Sequence, residues 1–261
     1  MALAGSFRAV KKDGTVYYRS SITYKNKHIS LGSFQTEEFA SAAYRLAQQL
    51  LKSSVSIADY SQTDCLSFDK AVSLINFRDN GVYSKNPIYL YHKYFLYYLS
   101  PVLVFKFDID DLFYYSSHRI SKRKGHLFVA DYGMQVNLLS RYGIKNHAVL
   151  DRDYRFINGD CYDFRYENIE IINRFYGVTS FKKAHQTKYK ARILINGTFV
   201  IGVYDTEIEA AIAYNKACDI VEKKMTEKKY QQNYIDTLSP SQYAEIYSSL
   251  PISGKLLGTY L

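Results

Sequence analysis

A pattern written twice constrains this chain more than any other feature. The first copy runs Tyr18-Arg19-Ser20-Ser21-Ile22-Thr23-Tyr24, a short turn, then Ile29-Ser30-Leu31-Gly32-Ser33-Phe34-Gln35-Thr36-Glu37, and ends in Ala40-Ser41-Ala42-Ala43-Tyr44. The second runs Tyr189-Lys190-Ala191-Arg192-Ile193-Leu194-Ile195, a turn, then Val200-Ile201-Gly202-Val203-Tyr204-Asp205-Thr206-Glu207, and ends in Ala210-Ala211-Ile212-Ala213-Tyr214. The copies lie far too widely separated for a solenoid, whose repeats recur about every 20–50 residues. Two copies of a small domain with other structure between them is the simpler arrangement.

Periodicity gives each copy its shape. Lys188, Lys190 and Arg192 alternate with Tyr189, Ala191, Ile193 and Ile195, which predicts a strand with one polar and one buried face. Asn196-Gly197 predicts a hairpin turn into a third strand over 198–204, and a preceding strand fits residues 177–183. Thr206 and Glu209 form a capping box. Ala210, Ala213, Tyr214, Ala217 and Val221 then recur at helical spacing. In the first copy Tyr17, Arg19 and Ser21 share one face, and Tyr18, Ser20, Ile22 and Tyr24 the other. A helix over 36–51 turns Ala40, Ala43, Tyr44, Ala47 and Leu51 to the sheet, with Glu37 and Glu38 at its positive end. The predicted fold class is α+β: two units, each of three antiparallel strands and a covering helix.

Charge is sorted along both copies. Residues 174–204 carry six Lys or Arg and no acid, and residues 1–35 carry six with one Asp. With a helix over one face, the open face of each sheet is expected to hold nearly all the positive charge. The candidate DNA-binding residues are Arg8, Lys11, Lys12, Arg19, Lys25 and Lys27 in the first copy. In the second they are Lys182, Lys183, Lys188, Lys190 and Arg192. A solvated lysine-rich strand face is the ordinary fate of such charge, but two similarly polarised copies favour a polyanionic partner. The formal charge of +9 points the same way.

Composition excludes several classes. At 47% hydrophobic residues, the 261-residue chain can bury cores. Its three cysteines, Cys65, Cys161 and Cys218, show no metal or disulfide spacing and are expected to be buried in a reducing cytosol. No secretory signal opens the sequence, and the apolar stretch 88–107 is broken by His92, Lys93, Ser100, Pro101 and Lys106, so the expectation is a cytoplasmic protein without a membrane partner. The 27 tyrosines are expected mostly in cores with wet hydroxyls. Nucleotide-binding glycine motifs and a GxSxG nucleophile are missing, and no small-molecule cofactor is implied. Asp108, Asp110 and Asp111 read as a helix N-terminus.

The stretch 189–217, Tyr-x-Ala-x-Ile followed by Gly-x-Tyr-Asp-Thr-Glu-x-Glu-Ala-Ala-x-Ala-Tyr-Asn-x-Ala, resembles the AP2/ERF-type DNA-binding domain. It is most similar to the bacterial and phage versions attached to HNH homing endonucleases. The first copy carries the pattern more weakly. The resemblance implies that the open sheet face contacts DNA through Arg, Lys and Trp, and the basic positions carry over to Arg19, Lys188, Lys190 and Arg192. This chain has no Trp.

Between the copies, Phe156-Ile157-Asn158-Gly159-Asp160-Cys161-Tyr162-Asp163-Phe164-Arg165-Tyr166-Glu167-Asn168-Ile169 resembles the HNH nuclease core in its spacing. That core uses a His to activate water and a divalent ion to stabilise charge. Here Phe156 stands at the His position, Arg155 before it, and Phe164 at the central Asn. Phenylalanine neither takes a proton nor binds a metal, so the expectation is a degenerate, non-catalytic HNH-like ββα module. Asp163, Arg165 and Asn168 are accounted for by turn geometry, an ion pair and capping. His118, His126 and His147 show no metal spacing. Residues 115–130 predict a hairpin around Lys122-Arg123-Lys124-Gly125.

The expected organisation is an AP2-like domain over 1–55, an aromatic connecting region over 56–113, the HNH-like module over 114–173, a second AP2-like domain over 174–228, and a helical tail over 229–261 starting near Ser239-Pro240-Ser241. The expected function is sequence-specific binding of double-stranded DNA, as a transcriptional regulator derived from a homing endonuclease. The alternatives are an active HNH-type endonuclease with displaced ligands, and a protein-binding adaptor.

Overall fold

The computed structural model describes residues 3–131, 133–224 and 229–260. The fold is α+β, built among the described residues from small antiparallel sheets and six helices. The chain divides into two compact units, one of Met1–Leu138 with Asp160–Asn168, the other of Leu139–Gly159 with Ile169–Leu261. No helix among the described residues is long and apolar enough to cross a membrane.

The first unit opens with strands β1 (Ser6–Val10), β2 (Val16–Tyr24) and β3 (Lys27–Phe34), an antiparallel sheet in that order, followed by α1 (Glu37–Lys52). Thr36 caps α1 by accepting the Phe39 N–H at 3.4 Å. Ala40, Ala43 and Ala47 are fully buried, small enough for the helix to lie close on the sheet. A second helix, α2 (Phe68–Asn80), shares a core with α1 through Ala71, Leu74 and Phe77, joined by Leu66 of the preceding loop. Strands β4 (Ile88–Leu90), β5 (Tyr94–Ser100) and β6 (Leu103–Asp108) form a second sheet. Register puts Ile88, Tyr97 and Phe105 on one face with Phe95 and Phe107, all of them buried. The short helix α3 (Leu112–Ser117) adds Tyr115, whose ring centroid lies 4.3 Å from that of Phe107. Strands β7 (Ile120–Arg123), β8 (His126–Asp131) and β9 (Met134–Asn137) make a third sheet, which includes the expected hairpin. The Ile120 N–H donates to the Tyr97 hydroxyl at 3.0 Å, and burial pushes that phenol up to about 12.

The second unit pairs β10 (Tyr154–Phe156) with β11 (Ile169–Ile171). Strands β12 (Val178–Lys183), β13 (Gln186–Leu194) and β14 (Thr198–Tyr204) follow, then α4 (Glu207–Lys224). The capping box on α4 is complete: Thr206 N–H donates to Glu209 Oε2 at 3.0 Å and Glu209 N–H to Thr206 Oγ1 at 3.1 Å. The tail supplies α5 (Pro240–Ser249), itself capped by Ser239, and α6 (Gly254–Tyr260). Both pack on α4, so Ala211, Ile212 and Cys218 are buried beside the expected Ala210, Ala213 and Ala217.

The two copies match beyond the residues that first disclosed them. Gly5 and Gly177 each precede the first strand at φ near +70° (73° and 70°). A Cβ on Gly5 would sit 2.0 Å from the Tyr44 ring, and one on Gly177 2.2 Å from the Tyr214 ring. Only glycine satisfies both the left-handed backbone and this close approach. Each third strand also carries a bulge at the same place. Ser20 pairs Gly32 and Ser21 pairs Ser30, leaving Leu31 extra; Ala191 pairs Gly202 and Arg192 pairs Val200, leaving Ile201 extra. Both extra residues are buried.

The HNH-like segment departs from expectation. Its two strands pair, but no helix follows β11; the chain turns directly into β12. Asp160–Asn168 instead belongs to the first unit. There the Lys106 N–H donates to the Tyr162 carbonyl at 2.9 Å and the Phe164 N–H to the Lys106 carbonyl at 2.7 Å. Phe164 is buried and stacks on Phe107, centroids 5.5 Å apart. An apolar ring where the nuclease family has Asn is drawn into an aromatic core, where each such pair contributes about 0.5–1.5 kcal/mol beyond its buried area. The cysteines are free, and only Cys218 is buried; Cys161 is exposed and Cys65 half-buried, contrary to expectation. Cys161 falls in the polar turn of the displaced segment.

Candidate nucleic-acid interface

Strand register decides which cations share a surface. On β13, Lys190 pairs with Thr179 and Val203, and Lys188 with Phe181, all on the face away from α4. Arg192 lies on the same face opposite Val200, and Lys183 on it opposite Gln186. The neighbouring Ala191 and Ile193 turn inward, at 0% and 1% exposure. The central strand therefore presents Lys188, Lys190 and Arg192 at alternate residues, about 6.8 Å apart along the chain. Exposed Leu194, Val200 and Val203 lie among them.

Neighbours on β12 hold two of these side chains. Arg192 Nη2 donates to Thr179 Oγ1 at 3.0 Å, and Lys190 Nζ sits 5.0 Å from the Phe181 ring centroid. Lys188 pairs with the exposed Asp205, an interaction worth little in solvent. Lys182, opposite Thr187, points to the other side of the sheet.

In the first unit the cations are distributed differently. Arg19 lies on the open face of β2, where the Tyr17 hydroxyl accepts from its Nη2 at 2.6 Å and from its Nε at 3.1 Å. No other candidate cation shares that face. Arg8 pairs with Tyr18 and so falls on the helix side. Lys11 and Lys12 are exposed in the β1–β2 turn. Lys25 Nζ donates to the Arg78 carbonyl at 3.2 Å and lies 5.4 Å from the Tyr24 ring centroid; Lys27 Nζ lies 6.0 Å from that of Tyr83. The expectation of a cation-rich open face on each unit is therefore corrected for the first. Alternation puts Arg8, still exposed, on the helix side; register puts Lys27 there opposite Tyr24, and Lys25 in the turn lies beside the Tyr24 and Phe77 rings.

An arginine and a histidine border the second sheet. A cavity of about 430 Å³ beside Arg192 is also lined by His147 and Arg152. They ride on a loop anchored by Asp153, which is 1% exposed. Arg152 Nη2 donates to Asp153 Oδ2 at 2.6 Å, the Val149 N–H donates to the same oxygen at 2.9 Å, and Lys145 forms an ion pair at 3.2 Å. Burial alone would raise the Asp153 carboxyl; the Arg152 and Val149 hydrogen bonds and the Lys145 charge bring it below its ordinary value. Burial lowers Lys145. The Asn173 side chain donates to the Arg152 carbonyl at 2.5 Å and accepts the Ser180 N–H at 2.7 Å, joining this loop to β12. Sequence reading missed Arg152 and His147, because nothing local marks a loop that a distant Asn fastens beside a sheet.

The nuclease-like positions form no comparable set. Arg155 pairs with Glu170 across β10 and β11 at 2.5 Å. Asp163 accepts from Arg165 Nη2 at 2.7 Å, the ion pair the sequence implied. Asn168 Nδ2 donates to the Asp163 carbonyl at 2.8 Å, closing the loop rather than capping a helix. Phe156 belongs to the second unit and Phe164 to the first. Among the described residues no group of three or more His, Cys, Asp or Glu is placed to hold a metal ion. His118 lies 3.4 Å from Asp131, an ordinary surface pair.

No family model matches this chain, and no curated protein or solved structure matches it either.

Proposed function

We propose that this chain binds double-stranded DNA sequence-specifically through the open face of β12–β14, acting as a transcriptional regulator rather than a nuclease. The observation that carries this reading is the row Lys188, Lys190 and Arg192 on an uncovered antiparallel sheet. Three strands about 4.8 Å apart span roughly 10 Å, a width that a major groove of about 12 Å admits. Alternate residues advance about 6.8 Å, two base-pair rises of about 3.4 Å, so a strand laid along the groove keeps its cations in step with the duplex. Lysines fix phosphates, while Arg192, held by Thr179, reaches base edges. Exposed Val200, Val203 and Leu194 suit thymine methyls. His147 and Arg152 extend the basic surface towards the flanking phosphates. The resemblance of 189–217 to AP2-type domains agrees with this docking. Phe156 and Phe164 supply neither a base nor a metal ligand for cleavage.

Selection from a random duplex pool with magnesium present tests this. An enriched, uncut motif is expected. Cut products would restore the nuclease reading, and an absence of binding would favour the adaptor.

A further inference from the structure

The positive charge missing from the open face of the first sheet has gathered elsewhere in the first unit. A groove of about 980 Å³ runs along β3 and is lined by Lys27, Lys70 and Lys85, with no Asp or Glu among its lining residues. Lys27 Nζ and Lys70 Nζ lie 6.0 and 5.8 Å from the centroid of the same ring, that of Tyr83. Lys70 also donates to the Tyr83 hydroxyl at 3.2 Å. None of the three lysines forms an ion pair among the described residues. Like charges collected in one concavity without a counter-charge raise the energy of the free protein, and an anion entering the groove relieves that cost.

The groove also has a firm floor. Ser84, Ser116 and Ser117 line it, the last two donating their hydroxyls to the Phe113 and Tyr114 carbonyls. Ser84 Oγ accepts the Asn86 N–H at 3.2 Å, and Asn86 Nδ2 donates to the Tyr115 carbonyl at 2.7 Å, fastening the floor to the aromatic core. The other wall is β3, an edge strand hydrogen-bonded to β2 alone. Lysines along an open edge discourage edge-to-edge pairing, but only Lys27 stands on the strand. Lys70 comes from α2 and Lys85 from the loop after it, and all three border one groove.

We propose that this groove is a second phosphate-binding site, which takes the sugar–phosphate backbone of duplex DNA. The inference rests on the DNA-binding reading and deepens it. The two copies then share a scaffold but hold nucleic acid differently, one by an open face and one by a sheet edge. Two binding surfaces on one chain raise the effective concentration of the second.

The test is the salt dependence of duplex binding by the full chain, with Lys27→Ala, Lys70→Ala and Lys85→Ala combined. Log K against log salt should become shallower by about 0.9 for each phosphate no longer neutralised, with affinity at moderate salt falling tenfold or more. The combination Lys27→Arg, Lys70→Arg and Lys85→Arg should keep the wild-type slope. The alanine variant loses the Tyr83 contacts of Lys27 and Lys70 and should melt slightly lower than the wild type, with the cooperative transition of a folded chain. An unchanged slope in a folded alanine variant, alongside a reduced slope in Lys190→Ala plus Arg192→Ala, overturns this site and leaves the proposed function standing. Absence of duplex binding by the wild type overturns both.

Discussion

The two repeated units share a backbone and differ in what they place on it. Both begin with a glycine pressed against a helical tyrosine, both bulge at the same point of the third strand, and both cover the sheet with an alanine-lined helix. Yet the central strand of one open face reads Lys188, Lys190, Arg192, Leu194, and its counterpart reads Tyr17, Arg19, Ser21, Thr23. The constraints on the scaffold are steric and come from the buried side, so they persist in both copies. The open face is free to change, and its chemistry is where the units part. Shared fold here says little about shared activity.

Gly177→Ala should have the largest effect on this comparison. A Cβ there meets the Tyr214 ring at 2.2 Å and the Arg192 carbonyl oxygen at 2.4 Å, at a φ that L residues rarely adopt. A loss of about 1–3 kcal/mol is expected from backbone strain alone, and the carbonyl clash adds to it. The three atoms nearest a Cβ on Gly5 all belong to the Tyr44 side chain and none to backbone, so Gly5→Ala should cost less. Thermal melts of the two variants check the order; a larger loss for Gly5→Ala would break the parallel.

Exchanging the face chemistry comes next. Tyr17→Lys with Ser21→Arg writes the basic row onto the first sheet. If only the face distinguishes the units, log K against log salt should steepen by about 0.9 per additional phosphate neutralised, near 1.8 in all. No change would mean that the first face is shielded from nucleic acid for another reason.

Acid should produce the smallest difference. Asp153 in the second unit and Asp163 in the first both sit below the ordinary carboxylate value of 3.8. Burial alone would raise each; hydrogen bonds from Arg152 and Val149 to Asp153, and from Arg165 to Asp163, outweigh it. A lowered carboxylate stabilises the fold fully above its unfolded value, and that stability is lost as pH falls through the folded value. Asp153→Asn or Asp163→Asn should flatten the loss of melting temperature below about pH 4. An unchanged pH profile would show that neither carboxylate is held by its arginine.

Much of this was legible in the sequence. Period-two alternation sorted β2 and β13 into their faces, and the capping box at Thr206 and the Ser239-Pro240 start located two helix starts. The aromatic region could not be read because both faces of its sheet are apolar or aromatic. Phe95 and Tyr97 point inward while Tyr94, Leu96 and Tyr98 point outward, which erases the alternation. The path of Asp160–Asn168 was hidden for a different reason. Motif spacing is local, but Phe164 answers to Phe105 and Phe107, far earlier in the chain. Lys25 departs from the expected face because a cation in a turn follows the nearest ring, and Lys27 because its register opposite Tyr24 puts it on the helix side. The C-terminal tail was recognisable as helical from Ser239-Pro240, while its packing on α4 needed the structure.

The most direct test of the central claim is the salt dependence of duplex binding by the full chain and by Lys188→Ala, Lys190→Ala and Arg192→Ala combined. None of the three side chains belongs to the buried core, so the triple variant should fold, and a thermal melt checks that it does. The slope of log K against log salt should fall by about 0.9 for each phosphate left unneutralised, and sequence preference should weaken with the removal of Arg192. A variant that binds with the wild-type slope and the wild-type preference would contradict the account.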